Sequence, residues 1–435
     1  MSSDLVADAA SIKANSASSK QVKPTLKERV QEVWDELFGL GEGHALYDRT
    51  LVILCCTLLA VGLLMVASAS IPVASKLFGN PLHFAIRHLV YLGLSFIAFM
   101  AVVQMPMAWW KRFNPYLLMI AFGLLITVLI VGKNVNGSTR WLALGPLNIQ
   151  AAEPAKLFFF VYLAGYLVRR ESEVKENLKG FIKPLLVMFA LAVLLLMQPD
   201  LGTVVVMFAT TVGLLFLAGA KLIQFFALFM TGCCAVVFLI LSESYRMRRV
   251  TSFLDPWADP FGSGYQLTQS LMAYGRGDWF GMGLGNSIQK LHFLPEAHTD
   301  FVFAVLAEET GFIGVMLVVA VVFWLVGKIL SLGSRVLAAG KQFEGYFAYA
   351  MAIWISFQAA VNIGASAGML PTKGLTLPLV SYGGSSLLVM SIAIAAIMRI
   401  DYEHRLESVQ ATRSSKKPKK KNLTRNPREE HVDDE

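Results

Sequence analysis

Read for apolar and polar positions, the chain alternates long hydrophobic runs with short charged breaks from residue 50 to residue 399. Ten runs approach the roughly 20 residues that a helix needs to cross a hydrocarbon core of about 30 Å. They fall at 50–70, 84–104, 114–132, 153–168, 184–198, 201–219, 222–242, 301–327, 346–367 and 379–399, the fourth and fifth being short. The pattern predicts an all-α, polytopic helical membrane protein with about ten transmembrane helices, because a helix satisfies its own backbone polar groups in lipid. One break is out of scale with the others. Residues 243–300 form a large polar loop before the eighth span, rich in Trp, Tyr, Gly, Arg and carboxylates.

Composition agrees with the pattern. Charged residues make up 16% of the chain, against roughly 25% in an ordinary globular protein, while 55% are hydrophobic. One transmembrane domain, 46–400, is expected between a cytoplasmic segment at 1–45 and a charged tail at 401–435. Within the first segment, Lys27 to Phe38 has the periodicity of a short amphipathic helix. No short basic region followed by an apolar stretch marks a cleavable signal, so the first span is expected to act as the insertion signal. Cys55-Cys56 and Cys233-Cys234 lie inside apolar runs, without disulfide or metal spacing, and read as packing residues.

Charge then sets the orientation. An even number of spans puts both termini on one side, and the short loops on that side hold eleven basic residues: Lys111, Arg112, Arg169, Arg170, Lys175, Lys179, Lys183, Lys221, Lys328, Arg335 and Lys341. The opposite short loops hold five, namely Lys76, Arg87, Lys133, Arg140 and Lys373. By the positive-inside rule the termini are cytoplasmic and the 243–300 loop is extracytoplasmic. The net charge of +8 then reflects cytoplasmic loops and anionic headgroups, and no nucleic-acid partner is expected. The tail from Arg413 to Arg428 carries eight basic residues and no acidic one. It reads as a disordered segment able to touch anionic lipid.

Ionisable residues at membrane depth are costly and single out candidate sites. Glu153 and Lys156 share one helical face at the start of the fourth span, as a structural ion pair or the lining of a polar cavity. Gln198 to Thr203 combines Pro and Gly in a tight reversal, with Asp200 as a helix cap or at the mouth of a groove. Pro371 to Gly374 and Pro378 to Ser386 bring Lys373 and a Gly/Ser-rich helix entrance together, suited to close packing or to an anionic headgroup.

The large loop contains Arg246, Arg248 and Arg249, the run Asp255 to Pro260, a glycine-rich stretch at 275–285, Lys290, and the cluster Glu296, His298, Asp300. Guanidinium groups with aromatic rings suit a sugar–phosphate ligand. The glycines match no nucleotide fingerprint, since no strand precedes them and the lysine spacing is wrong. Two-residue spacing of Glu296, His298 and Asp300 is weak evidence for a metal. Asp300 stands where polar loop becomes apolar helix. Desolvation there would raise its pKa and favour general-base chemistry, whereas the simpler alternative is a helix cap. Glu308 lies about two turns further on and can border the same cavity.

With these motifs in view, the sequence resembles the SEDS family of bacterial cell-wall proteins over about residues 45–400. Asn136 to Trp141 with Leu144-Gly145, Gln198 to Thr203, Leu294 to Asp300 with Glu308 to Gly311, and Pro371 to Ser386 resemble four ordered family motifs. Two departures are visible. Gln150-Ala151-Ala152-Glu153 stands where the family usually has Gln-Pro-Ser-Glu. Tyr274-Gly275-Arg276-Gly277 stands where elongation-type relatives more often have Ile-Gly-Ser-Gly, which favours a division-type member.

The resemblance implies a peptidoglycan glycosyltransferase in the bacterial inner membrane at the division septum, with lipid II as substrate. It also implies a class B penicillin-binding protein (a septal transpeptidase) and other divisome membrane proteins as partners. The family's essential loop aspartate matches Asp300, and its fourth-span Glu and Lys match Glu153 and Lys156. In this reading Asp300 takes the proton of the attacking hydroxyl. Arg140, Arg246 and Lys373 stabilise the leaving pyrophosphate, with His298 and Ser385 completing the candidate substrate-binding set. No ligand set demands a cofactor, although a divalent cation, Mg2+ or Mn2+, could help neutralise the leaving group. The alternatives are a lipid II flippase, which many spans with interior charges also suit, and a non-catalytic divisome scaffold.

Overall fold

The structure, a computed structural model, describes residues 47–135, 138–145, 147–291, 293–371 and 374–415. The amphipathic stretch at Lys27–Phe38, Lys373 and nearly all of the basic tail lie outside the described residues. The architecture is that of the unit that begins at Thr50.

In chain order the helices are α1 (Arg49–Phe78), α2 (His83–Val103), α3 (Met107–Val131), α4 (Ala152–Arg169), α5 (Glu171–Glu176), α6 (Leu178–Met197) and α7 (Leu201–Leu217). They continue with α8 (Leu222–Leu241), α9 (Ser244–Leu254), α10 (Tyr265–Gly277), α11 (Val302–Ala338), α12 (Gln342–Ser366) and α13 (Gly384–Ser415). Eight of them are long and apolar enough to cross a membrane: α1, α2, α3, α6, α8, α11, α12 and α13. α7 is apolar but shorter, and α4 carries Glu153, Lys156 and Arg169. The class is helical as expected, with one addition. Between α3 and α4, strands β1 (Lys133–Val135), β2 (Ser138–Leu144) and β3 (Leu147–Gln150) form an antiparallel sheet in the order β1-β2-β3. Its register pairs Trp141 with Gln150 and Leu142 with Ile149.

Burial separates core helices from peripheral ones. The most apolar stretches of α12 and α13 are 61% and 78% buried by the rest of the protein, whereas that of α8 is 0% buried. α4 is equally central: Phe159, Phe160, Val161, Leu163 and Ala164 are fully enclosed. Its start suits a helix N-terminus, with Pro154 in the first turn, where no intrahelical N–H is needed, and Glu153 at the positive end of the dipole.

α11 is not one continuous helix. At Gly311 the backbone takes φ 69° and ψ −168°, a left-handed φ that a glycine tolerates without steric cost. The segment after α10 inserts there: Met282 N–H donates to Glu308 O (2.9 Å), Gly283 N–H to Glu309 O (3.0 Å), and Phe312 N–H to Asp278 O (2.8 Å). Groups freed by the kink are thereby paired within the protein, which is what backbone at membrane depth requires.

Candidate active site

Three breaks between helices meet at one end of the bundle and build the site. The first is the sheet and the 198–200 turn. Arg140, on β2, donates from Nε to Gln198 O (2.9 Å) and from Nη2 to Pro199 O (2.5 Å). Asp200 caps α7, accepting from Thr203 N–H (3.3 Å) and Thr203 Oγ1 (2.8 Å), so its helix-capping role is observed. The second break is the chain at 294–301, a series of turns in which Phe301 N–H donates to Glu296 O (3.2 Å). Glu296 holds φ 54°, a left-handed conformation that costs a non-glycine residue about 1 kcal/mol or more. The third is the irregular segment leading into α13, with Gly374 beside Asp300: a Cβ at that position would lie 3.2 Å from Asp300 Oδ2.

Asp300 sits where these breaks converge. It is half-buried, and its backbone carbonyl accepts from Asn362 Nδ2 (2.9 Å). Burial, with the nearby charge of Glu296, pushes its pKa up to about 7, while Arg249 and Arg140 pull it down and Asp200 adds to the rise. A carboxyl poised near neutrality can take a proton from a hydroxyl as charge develops on it, which is the property a general base requires.

The other candidates separate into distinct roles. Glu153 and Lys156 pair at 2.9 Å, both buried. Lys156 Nζ also donates to Gln358 Oε1 (3.0 Å) and lies 5.1 Å from the Trp354 ring centre. Glu308 does not share Asp300's surroundings as the sequence led us to expect. Fully buried, it accepts from Ser287 Oγ (2.5 Å), Ile288 N–H (3.0 Å) and Gln289 N–H (3.2 Å), and pairs with Arg276 (3.1 Å). It is an anchor for the loop after α10.

Arg246 likewise faces elsewhere. Its Nη1 donates to Leu239 O (2.8 Å), closing the end of α8 as cationic side chains do at helix C-termini. One turn later on α9, Arg249 is the arginine whose charge reaches Asp300. His298 is buried among rings, 4.7 Å from Phe84 and 5.5 Å from Tyr382 between centres. Burial lowers its pKa and so disfavours its charged form, while its ring packs against these two neighbours. Ser385 accepts from Gln150 N–H (2.9 Å) and donates to Asn148 O (3.1 Å), tying β3 to α13. Lys373 lies outside the described residues, next to Gly374. Among the described residues, no three His, Cys, Asp or Glu side chains come together as a metal site.

Sequence reasoning passed over Gln358 and Asn362, amides on a helix that otherwise reads as apolar. It also passed over the second buried ion pair, Lys290 with Glu309 at 2.6 Å. The adjacent acidic residues Glu308-Glu309 at the start of a span were the available signal, since two buried carboxylates demand two cationic partners.

The family model for cell cycle proteins of the FtsW, RodA and SpoVE type matches residues 49–406. A probable peptidoglycan glycosyltransferase FtsW of Alteromonas naphthalenivorans is 68% identical over 365 residues, 84% of this chain and 71% of that protein. The protein of the same description from Pseudoalteromonas translucida is 62% identical over 367 residues, 84% of this chain and 92% of that one. Among solved structures, one described as structural coordination of polymerization and crosslinking by a peptidoglycan synthase complex superposes with a TM-score of 0.66 at 28% identity, covering 82% of this chain and 97% of that chain. The rod shape determining protein RodA of Thermus thermophilus gives 0.60 at 26%, covering 82% and 96%.

Proposed function

This chain belongs to the FtsW, RodA and SpoVE family of cell cycle proteins, and from that premise we propose that it is a peptidoglycan glycosyltransferase that polymerises lipid II at the division septum. It is a multi-pass membrane protein. The observation that carries the catalytic reading is the half-buried Asp300 carboxyl, raised to about 7 and flanked by two arginines, where three interhelical breaks meet.

In the proposed reaction the 4-hydroxyl of the acceptor N-acetylglucosamine attacks the anomeric carbon of the donor N-acetylmuramic acid. The new C1–O4 bond forms as the C1–O bond to pyrophosphate breaks, inverting the anomeric centre. The hydroxyl proton passes to Asp300, and undecaprenyl pyrophosphate leaves with the bonding electron pair. Arg249 and Arg140 oppose the charge growing on that pyrophosphate; Arg249 takes the place that sequence reasoning gave to Arg246. Pyrophosphate is a good leaving group without protonation, so one carboxylate serves where glycosidases use two.

The charge bias of the short loops supports cytoplasmic termini, with Asp300 at the extracytoplasmic side. A class B penicillin-binding protein is the fitting partner, because nascent glycan must be cross-linked. Support for a partner comes from the structural likeness to a peptidoglycan synthase complex. A flippase would have its charged groups distributed across the bilayer depth, whereas the groups acting on Asp300 gather at one end of the bundle.

The test supplies labelled lipid II to the purified protein and its transpeptidase partner with cross-linking blocked. Glycan polymer from wild type, absent with a folded Asp300→Ala variant, supports the proposal. Translocation of lipid II in sealed vesicles without polymer would overturn it.

A further inference from the structure

Two buried side-chain amides, Gln358 and Asn362, stand one turn apart on α12, between the Glu153–Lys156 pair and Asp300. The bonding at Gln358 leaves its amide a single orientation. Oε1 receives Lys156 Nζ (3.0 Å) and Trp354 Nε1 (2.8 Å), groups that can only donate. Its NH2 is thereby turned to Thr376 O at 3.0 Å. One turn on, Asn362 Nδ2 donates both to Leu375 O (2.6 Å) and to Asp300 O (2.9 Å). Asn362 Oδ1 is buried with no hydrogen-bond partner among the described residues, an unusual state for a buried amide. The side chain thus commits its hydrogens to two carbonyls and leaves its oxygen unsatisfied.

The far side of the same segment is also fixed. Thr376 Oγ1 bonds Ser386 Oγ (2.9 Å) and Leu377 N–H donates to Ser381 Oγ (2.9 Å). Residues 374–377 are therefore held between α12 and the entrance to α13, with Gly374 against the Asp300 carboxylate. Lys156 is 0% exposed, and Glu153, Gln358 and the Trp354 ring surround its ammonium group.

We propose that Gln358 and Asn362 are positioning residues that seat Asp300 against the 374–377 segment, and that the Glu153–Lys156 pair serves the site through Gln358 without touching substrate. The proposal rests on Asp300 being the base. The groups facing its carboxyl are Glu296 from its own loop, Arg249 from α9, Arg140 from β2 and Asp200 from the 198–200 turn. Loosening the seat admits water and relieves the burial that holds the carboxyl above the usual range.

The experiment measures polymerisation of labelled lipid II against pH by the full chain with its transpeptidase partner. The variants are Asn362→Leu, Gln358→Met and the double variant Glu153→Gln/Lys156→Met, which removes both charges of the pair together. A misplaced base lowers kcat by about tenfold to a hundredfold. KM for lipid II should stay within about twofold, because uniform substrate binding is untouched. The acidic limb of the pH profile should move below its wild-type position. A merely structural role would reduce folded protein without moving that limb.

Should Asn362→Leu fail to fold, Gln358→Met carries the same expectation. A wild-type limb and kcat in the folded single variants overturn the positioning role of Gln358 and Asn362, and a rise in KM alone for the double variant overturns the indirect role of Lys156. Wild-type polymerisation by Asp300→Asn would instead remove the base itself. An inactive Asp300→Asn beside unaffected Asn362→Leu, Gln358→Met and double variants overturns the positioning role alone.

Discussion

Asp300 and the Glu308-Glu309 pair flank the first turns of α11, yet the protein treats their charges in opposite ways. Glu308 accepts three hydrogen bonds and an arginine, and Glu309 takes Lys290 (2.6 Å) and Ser68 (2.7 Å). No hydrogen bond reaches the Asp300 carboxylate among the described residues; its carbonyl alone is held, by Asn362. Paired carboxylates fasten a loop to a kinked helix, while an unpaired, partly desolvated one keeps its basicity for a substrate. The contrast shows that a costly charge in a membrane protein marks a function only once its partners have been counted.

The largest effect expected from this contrast is on activity. Asp300→Asn should lower polymerisation about a thousandfold, within the usual range for loss of a general base, without reducing the thermal midpoint. Removing a charge that burial opposes relieves a cost. Glu309→Gln should do the reverse. Leaving Lys290 buried without its charge partner is expected to cost about 3 kcal/mol of stability, read as a lower unfolding midpoint, with turnover per folded molecule retained. Equal losses of turnover in both would break the comparison.

pH sharpens it. The folded pKa of Asp300, about 7, lies well above the 3.8 of an unperturbed aspartate. Protons are therefore held in the folded state after the unfolded chain has released them. Its contribution to stability is full below pH about 4 and is lost as pH rises through about 7. Activity runs the other way, with kcat/KM rising tenfold per pH unit below the pKa and levelling above it. A flat profile between about pH 6 and 8, roughly one unit either side of that pKa, would contradict the assignment. The smallest effect distinguishes two arginines one turn apart. Arg249→Met should shift that limb upward by removing a charge that favours the carboxylate. Arg246→Met should leave the limb in place and only loosen the joint between α8 and α9.

Much of this was legible in the chain. The apolar runs marked the helices because lipid penalises any unpaired backbone. Desolvation at the loop–helix junction singles out Asp300 from the sequence alone. The arginine that reaches Asp300 was hidden, since Arg246, Arg248 and Arg249 share one short helix and only the joint with α8 decides which faces inward. The sheet at 133–150 was hidden too, because its short strands are interrupted by Gly145-Pro146 and sit among apolar spans. Gln358 and Asn362 carried no charge to raise a flag, and their importance lies in carbonyls 13 to 62 residues away.

The most direct test compares kcat/KM for labelled lipid II, per folded molecule, in wild type, Asp300→Asn and Glu309→Gln, with the transpeptidase partner present and cross-linking blocked. Asp300→Asn is expected to fall about a thousandfold below wild type, and the less stable Glu309→Gln to keep near-wild-type turnover. Full polymerisation by Asp300→Asn would contradict the assignment of Asp300 as the base.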